Sequence, residues 1–149
     1  MEHLLISACL LGFECKYSGG SNALDAAALA ALRERFRLIP VCPESAGGLP
    51  TPRAPSERQG EKVVSKLGQD VTGEYRKGAD TALYLARRYG CTRALLKERS
   101  PSCGSGAIYD GSFTGSLVPG DGVAVESLKA AGIGVYGESE IEALITLIK

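Results

Sequence analysis

The sequence has no tryptophan, a single histidine and no excess of charge of either sign, and each shortage removes a class of function. Seventeen basic residues balance seventeen acidic ones, so no net field draws the chain to nucleic acid or to an anionic membrane surface. With no Trp and three Phe, little remains for a base-stacking platform, and a nucleic-acid polymer is not expected as a partner. No apolar run approaches the roughly 18 residues of a membrane span, and Met1-Glu2-His3-Leu4-Leu5 lacks the basic start of a secretory leader. A cytoplasmic location is the expectation, and there thiols stay reduced. No CxxC pair occurs, so the usual spacing of a structural zinc site is missing too.

What the chain does have is glycine, alanine and five cysteines in 149 residues. A chain of this length buries roughly 68–70% of its unfolded surface and folds without a disulfide or metal staple. The odd count of Cys9, Cys15, Cys42, Cys91 and Cys103 also speaks against a disulfide framework. Clustered cysteines in a reducing compartment serve metal binding or catalysis more often than cross-linking.

Hydrophobic patterning alternates between short apolar runs and longer helical stripes. Strands are expected at Leu4–Ser7, Arg37–Val41, Thr92–Lys97 and Ile133–Tyr136, with a further short arm at Glu61–Leu67. Helices are expected at Ala23–Phe36 (N-capped by Asn22), Gly73–Tyr89 (capped by Thr72), Gly122–Ala131 and Ser139–Ile148. Pro43–Arg58 and Glu98–Asp121 read as long glycine- and proline-rich loops, the second with a hairpin near Asp110-Gly111. This alternation predicts one α/β domain over residues 1–149: three layers, a mostly parallel sheet, helices on both faces and a ligand crevice at the carboxyl edge.

Cys9, Cys42 and Cys103 each follow a strand, so all three belong at that carboxyl edge. Cys15 lies on the same loop as Cys9 and is a possible fourth member. Cys91 and His3 each precede a strand and belong at the opposite edge, where Cys91 is expected to be a packing residue. Three convergent thiols without histidine suit a cubane cluster that leaves one iron free of protein ligands. Buried cysteines that merely pack, and a zinc centre with a hydrolytic water, are the competing readings.

Other residues fall beside these cysteines. Glu44, two residues past Cys42, is placed to move protons. In Ser100-Pro101-Ser102-Cys103-Gly104, proline stiffens the backbone, and Ser100 or Ser102 is available to hydrogen-bond a substrate or a water. Pro50-Thr51-Pro52-Arg53 is a stiff segment expected to hold Arg53 over the crevice, facing an anionic or carbonyl group. Gly120-Asp121-Gly122, ahead of a helix, offers backbone amides to an anion as a weaker signal.

Four segments together resemble a bacterial family catalogued as domain of unknown function 523, whose characterised members are thiouracil desulfidases. They are Ser7-Ala8-Cys9-Leu10-Leu11-Gly12 with Cys15 and Tyr17; Cys42-Pro43-Glu44 with Gly47 to Arg53; Ser100 to Gly104; and Ile108-Tyr109-Asp110-Gly111 running to Gly122-Val123. The chain departs from the family pattern at Lys16 and Ser18, where Arg and Asp are common. The resemblance implies a [4Fe-4S] cluster on Cys9, Cys42 and Cys103, a small thiolated substrate whose sulfur meets the free iron, and Glu44 and Ser100 assisting attack on carbon. The product would be the oxygen analogue, with sulfide released and no net redox change. A non-enzymatic cluster or sulfur carrier is the alternative; it would need the cysteines but not Glu44 or Ser100.

Overall fold

In chain order the elements are β1 (Glu2–Ser7), α1 (Ala26–Arg35), β2 (Phe36–Val41), α2 (Pro43–Ala46), β3 (Ser56–Gln59), β4 (Lys62–Ser65), α3 (Thr72–Arg88), β5 (Arg93–Leu96), β6 (Ala107–Tyr109), β7 (Leu117–Pro119), α4 (Val123–Ala130), β8 (Gly134–Gly137) and α5 (Ile141–Thr146). The computed structural model describes residues 1–146. Four strands form one sheet in the order β2-β1-β5-β8, and every pairing within it is parallel.

Successive residues of a strand point to opposite faces, and in β1 and β5 both sets are apolar. Leu4, Ile6 and Leu95 turn to one face, where they meet Leu32, Phe36 and Leu144. Leu5, Ala94 and Leu96 turn to the other, against Ala79, Ala82 and Ala86 of α3 and Val125 and Leu128 of α4. Burial on both faces is why these strands read as continuous apolar runs, as parallel strands do. The expected three layers and mostly parallel sheet are therefore present. Two antiparallel hairpins, β3–β4 and β6–β7, stand apart from the sheet. No helix among the described residues is long and apolar enough to cross a membrane.

Several boundaries differ from the sequence reading for local reasons. Asp25, not Asn22, caps α1: its Oδ1 accepts the Ala28 amide at 2.7 Å. Phe36 leaves the helix because it pairs with Glu2 and is buried at the start of β2. Thr72 lies inside α3; Asp70 accepts its amide at 3.0 Å, while the Thr72 hydroxyl accepts from Val63 at 2.9 Å. The stretch expected as loop from Pro43 to Arg58 opens with α2, started by proline at its first position, and ends inside β3. The terminal helix opens with a tight turn over Glu138–Glu140 before α5, and its expected end at Ile148 lies outside the described residues.

Close contact of α2 with α3 positions the site. A Cβ on Gly78 would stand 1.8 Å from the Pro43 carbonyl oxygen, and one on Gly47 would stand 1.9 Å from that of Glu74. Both clashes are with backbone, which cannot step aside. Gly78→Ala is therefore expected to cost about 1–3 kcal/mol or more, read as a fall in Tm of roughly 2–4 °C per kcal/mol. Gly73, exposed in the first turn of the same helix with nothing within 4 Å of its Cβ position, makes the contrast. Gly73→Ala is expected to hold or raise Tm, since alanine has the higher helix propensity.

Candidate metal centre and active site

Strands β1 and β2 end level, with Ser7 paired to Val41. Cys9, two residues past one end, and Cys42, one past the other, accordingly sit at the same edge of the sheet. A cavity of about 490 Å³ opens there, and Cys9, Cys15, Cys42, Cys103, Glu44, Ser100 and Ser102 all line it. Cys91 does not; it packs in the core beside Ala86 and Ile133, just ahead of β5. His3 lies at that far edge as well, its ring 6.0 Å from the ring of Tyr89.

Each thiol is carried by tight local structure. Cys9 lies in a short turn, Ala8–Leu11, that stops at Gly12 with φ +101°, a left-handed conformation that glycine adopts at little cost. Cys42 caps the amino end of α2, and its Sγ approaches the Cys15 carbonyl at 3.8 Å. Cys103 ends a turn in which the Ser100 hydroxyl accepts its amide at 2.7 Å and the Ser102 hydroxyl points at its sulfur at 3.5 Å.

Burial sets the electrostatics. It pushes the Cys103 thiol up to about 12, against hydrogen bonds from Ser102 and Ser7 that favour the thiolate. Burial, with Cys42 next, raises Cys15 to about 12. Burial also raises Cys9, opposed by a hydrogen bond from Asn22. Thiolates at these positions need a cationic partner, which a metal centre supplies and neutral solvent does not.

The donor set fits an iron–sulfur cluster better than a single ion. It is made of soft thiols without imidazole, the set that iron–sulfur clusters take. Thiolates tetrahedral about one zinc stand about 3.8 Å apart. Among the described residues no three Cys, His, Asp or Glu side chains form a group that could hold a single metal ion.

Glu44 is fixed from two sides. Arg53 Nη2 donates to its Oε2 at 2.7 Å, and the buried Tyr75 hydroxyl donates to its Oε1. Tyr75 belongs to the apolar stripe of α3, and its polar tip needs a partner where it is buried. Burial and the Glu44 carboxylate together raise the Tyr75 phenol far above its usual value, so it stays a donor. Arg53 is not held over the crevice as expected. Its guanidinium is spent on Glu44, on the Cys15 carbonyl at 2.9 Å and on Pro50 and Thr51, so it ties the Cys15 loop to α2. Burial opposes its charge, yet Glu44, with Cys42 and Tyr75, holds its pKa above the ordinary value.

The second cysteine loop is backed by α4. A Cβ on Gly122 would lie 2.4 Å from the Ser102 carbonyl carbon, and one on Gly104 would lie 2.8 Å from the Ser100 oxygen. The first amides of α4 donate to the carbonyls of Pro101 and Ser102, Val123 at 2.8 Å and Ala124 at 3.0 Å. Gly120-Asp121-Gly122 is thus committed to holding the Cys103 turn, and those amides are not free for an anion. Sequence reading missed Ser7, Asn22 and Tyr75. Ser7, the one polar residue closing an apolar strand, carried the clearest signal; it accepts the Lys97 amide at 2.9 Å and lines the cavity.

Comparison with known proteins gives the chain a family. A relative from Bacillus subtilis (strain 168), the uncharacterized protein YbbK, is 38% identical over 152 residues, covering 95% of this chain and 99% of that protein. A solved structure described as a [4Fe-4S]-dependent thiouracil desulfidase, TudS, superposes with a TM-score of 0.92 at 46% identity, covering 99% of this chain and all of that one. The model of the 2-thiouracil desulfurase family matches residues 4–140, and the chain belongs to that family.

Proposed function

We propose that the protein removes sulfur from a small thiolated pyrimidine such as thiouracil, giving the oxo compound and sulfide without net redox change. The observation that carries this reading is the meeting of three soft thiols and one braced carboxylate in a single cavity. Kinship to a [4Fe-4S]-dependent thiouracil desulfidase supports it. Cys9, Cys42 and Cys103 are the proposed ligands, and five unpaired thiols suit a reducing cytoplasm.

When bound, a [4Fe-4S] cluster on three cysteines supplies one iron open to a soft thiocarbonyl sulfur. The chain's own groups do the rest. Glu44 takes a proton from the attacking water as its oxygen adds to the ring carbon. Arg53 and Tyr75 keep that carboxylate aimed. Ser100 and Ser102 orient substrate or water beside Cys103. As the carbon–sulfur bond breaks, the carbon keeps the water oxygen as its carbonyl, and both water protons leave with the sulfur as hydrogen sulfide, one of them returned by Glu44.

The test is anaerobic reconstitution with iron and sulfide, followed by 2-thiouracil or 4-thiouracil. Uracil and sulfide should appear in equal amounts with no electron donor consumed. An intact cluster with no sulfide from any thiopyrimidine would favour the carrier reading instead.

A further inference from the structure

Resting on the desulfuration reading above, we infer that Phe113 is the surface on which the flat substrate ring lies, a specificity-determining residue that the Glu57 carboxylate holds in place. Among the described residues only two non-glycine residues have positive φ, Arg99 at 71° and Phe113 at 60°. Such a conformation costs a residue bearing a Cβ on the order of 1–2 kcal/mol, and survives only where the surroundings impose it. Arg99 immediately precedes Ser100. Phe113 lines the same cavity as the four cysteines.

The surroundings that impose it are visible. Residues 110–116 link β6 to β7 and are closed at the base by the Asp110 amide on the Ser116 carbonyl at 3.0 Å. Glu57, on β3 and only 8% exposed, accepts the Gly111 amide at 3.0 Å and the Phe113 amide at 3.1 Å with one carboxylate oxygen. Gln59, two residues along the same strand, donates to the Gly111 carbonyl at 3.0 Å. Gly111 is pressed so close that a Cβ would lie 2.7 Å from the Arg58 carbonyl oxygen. A buried carboxylate is costly, and one oxygen of this one, which also lines the cavity, is committed to the backbone of a single loop. The result of that bracing is the placement of an aromatic residue at the cavity wall. Phe113 has no polar atom in its side chain, so a face and a volume are all it offers. A thiopyrimidine is a flat π system, and base–aromatic stacking is the interaction that such a face provides.

Reconstituted holoenzyme tests this with steady-state kinetics on 4-thiouracil and inhibition by uracil and by 5,6-dihydrouracil, which keeps the hydrogen-bonding edge but has a puckered ring. In Phe113→Gly, KM and the uracil inhibition constant should rise about 5- to 150-fold, with kcat within a few-fold of wild type. Its Tm should hold or rise, because glycine is at ease at φ 60°, and iron content should not change. Phe113→Leu, which keeps apolar bulk, should lose most of the preference for uracil over dihydrouracil, and Phe113→Tyr should keep it. Glu57→Ala should raise KM in the same direction and add little on top of Phe113→Gly. If wild type turns over while Phe113→Gly and Phe113→Leu keep its KM and its ring preference, this inference fails alone. Loss of iron in Phe113→Gly would make the role structural and overturn it equally. A wild type that neither releases sulfide nor binds uracil would overturn the desulfuration reading together with it.

Discussion

Cys9→Ser, Cys42→Ser and Cys103→Ser are each expected to abolish the brown colour of anaerobically prepared protein and to take iron from about four per chain to near none. Cys91→Ser is expected to leave both unchanged. The difference follows from sheet topology: the first three thiols line one cavity at the carboxyl edge, and Cys91 is buried among alanines at the other. Serine is nearly the same size as cysteine, but its hydroxyl is a hard donor with little affinity for iron in a sulfur-bridged cluster. Cys91→Ser buries a hydroxyl in an apolar site and should lower Tm modestly, an effect that separates packing from ligation. Cys15→Ser distinguishes a fourth ligand from a neighbour. Its carbonyl, not only its thiol, is bound into the site through Arg53, so the loop should keep its place and the iron should stay. Iron content and visible absorption measure all five variants. Bleaching by Cys91→Ser with colour retained in Cys42→Ser would overturn the ligand assignment.

Sequence periodicity sufficed where a single physical rule decided the outcome. Short apolar strands alternating with helical stripes argued for a parallel sheet, and the position of each cysteine before or after its strand then placed it at one edge or the other. Glu44 was tied to Cys42 by two residues of chain, so its neighbourhood was legible as well. What escaped was set by contacts distant in sequence. Tyr75 lies 31 residues from Glu44, and its hydroxyl reaches the carboxylate only because Gly78 and Gly47 let α3 settle against α2. The direction of Arg53 depends on the carbonyls of Pro50 and Cys15, the Thr51 hydroxyl and the Glu44 carboxylate, a set of partners that no local pattern reveals. Glu57 and Phe113 meet through a hairpin-to-hairpin contact across 56 residues. Long-range partners of this kind need the folded chain.

The same braced carboxylate carries the strongest expectation for chemistry. Glu44→Gln should lower sulfide release by roughly 10²- to 10⁴-fold, the range for loss of a positioned acid–base group. The cluster absorption should not change, because Glu44 lies beside a proposed ligand and is not one itself. Among the described residues the one histidine is at the opposite edge of the sheet, so no imidazole stands ready to replace the carboxylate. The amide is close to isosteric, and the Tyr75 hydroxyl can still donate to its oxygen. The Arg53 guanidinium loses its anion but keeps the carbonyls of Pro50 and Cys15 and the Thr51 hydroxyl, so the site should survive with some loss of stability. Tyr75→Phe should act in the same direction and less strongly, since Arg53 alone still holds one carboxylate oxygen. Ser100→Ala should also slow release, by weakening the turn that presents Cys103 as well as any contact to substrate. Sulfide release from thiouracil by reconstituted proteins of matched iron content ranks these variants. Equal rates for wild type and Glu44→Gln would remove Glu44 from the mechanism, whereas a rate lost in Glu44→Gln and partly kept in Glu44→Asp would show that the charge, and not the space it fills, is what the reaction uses.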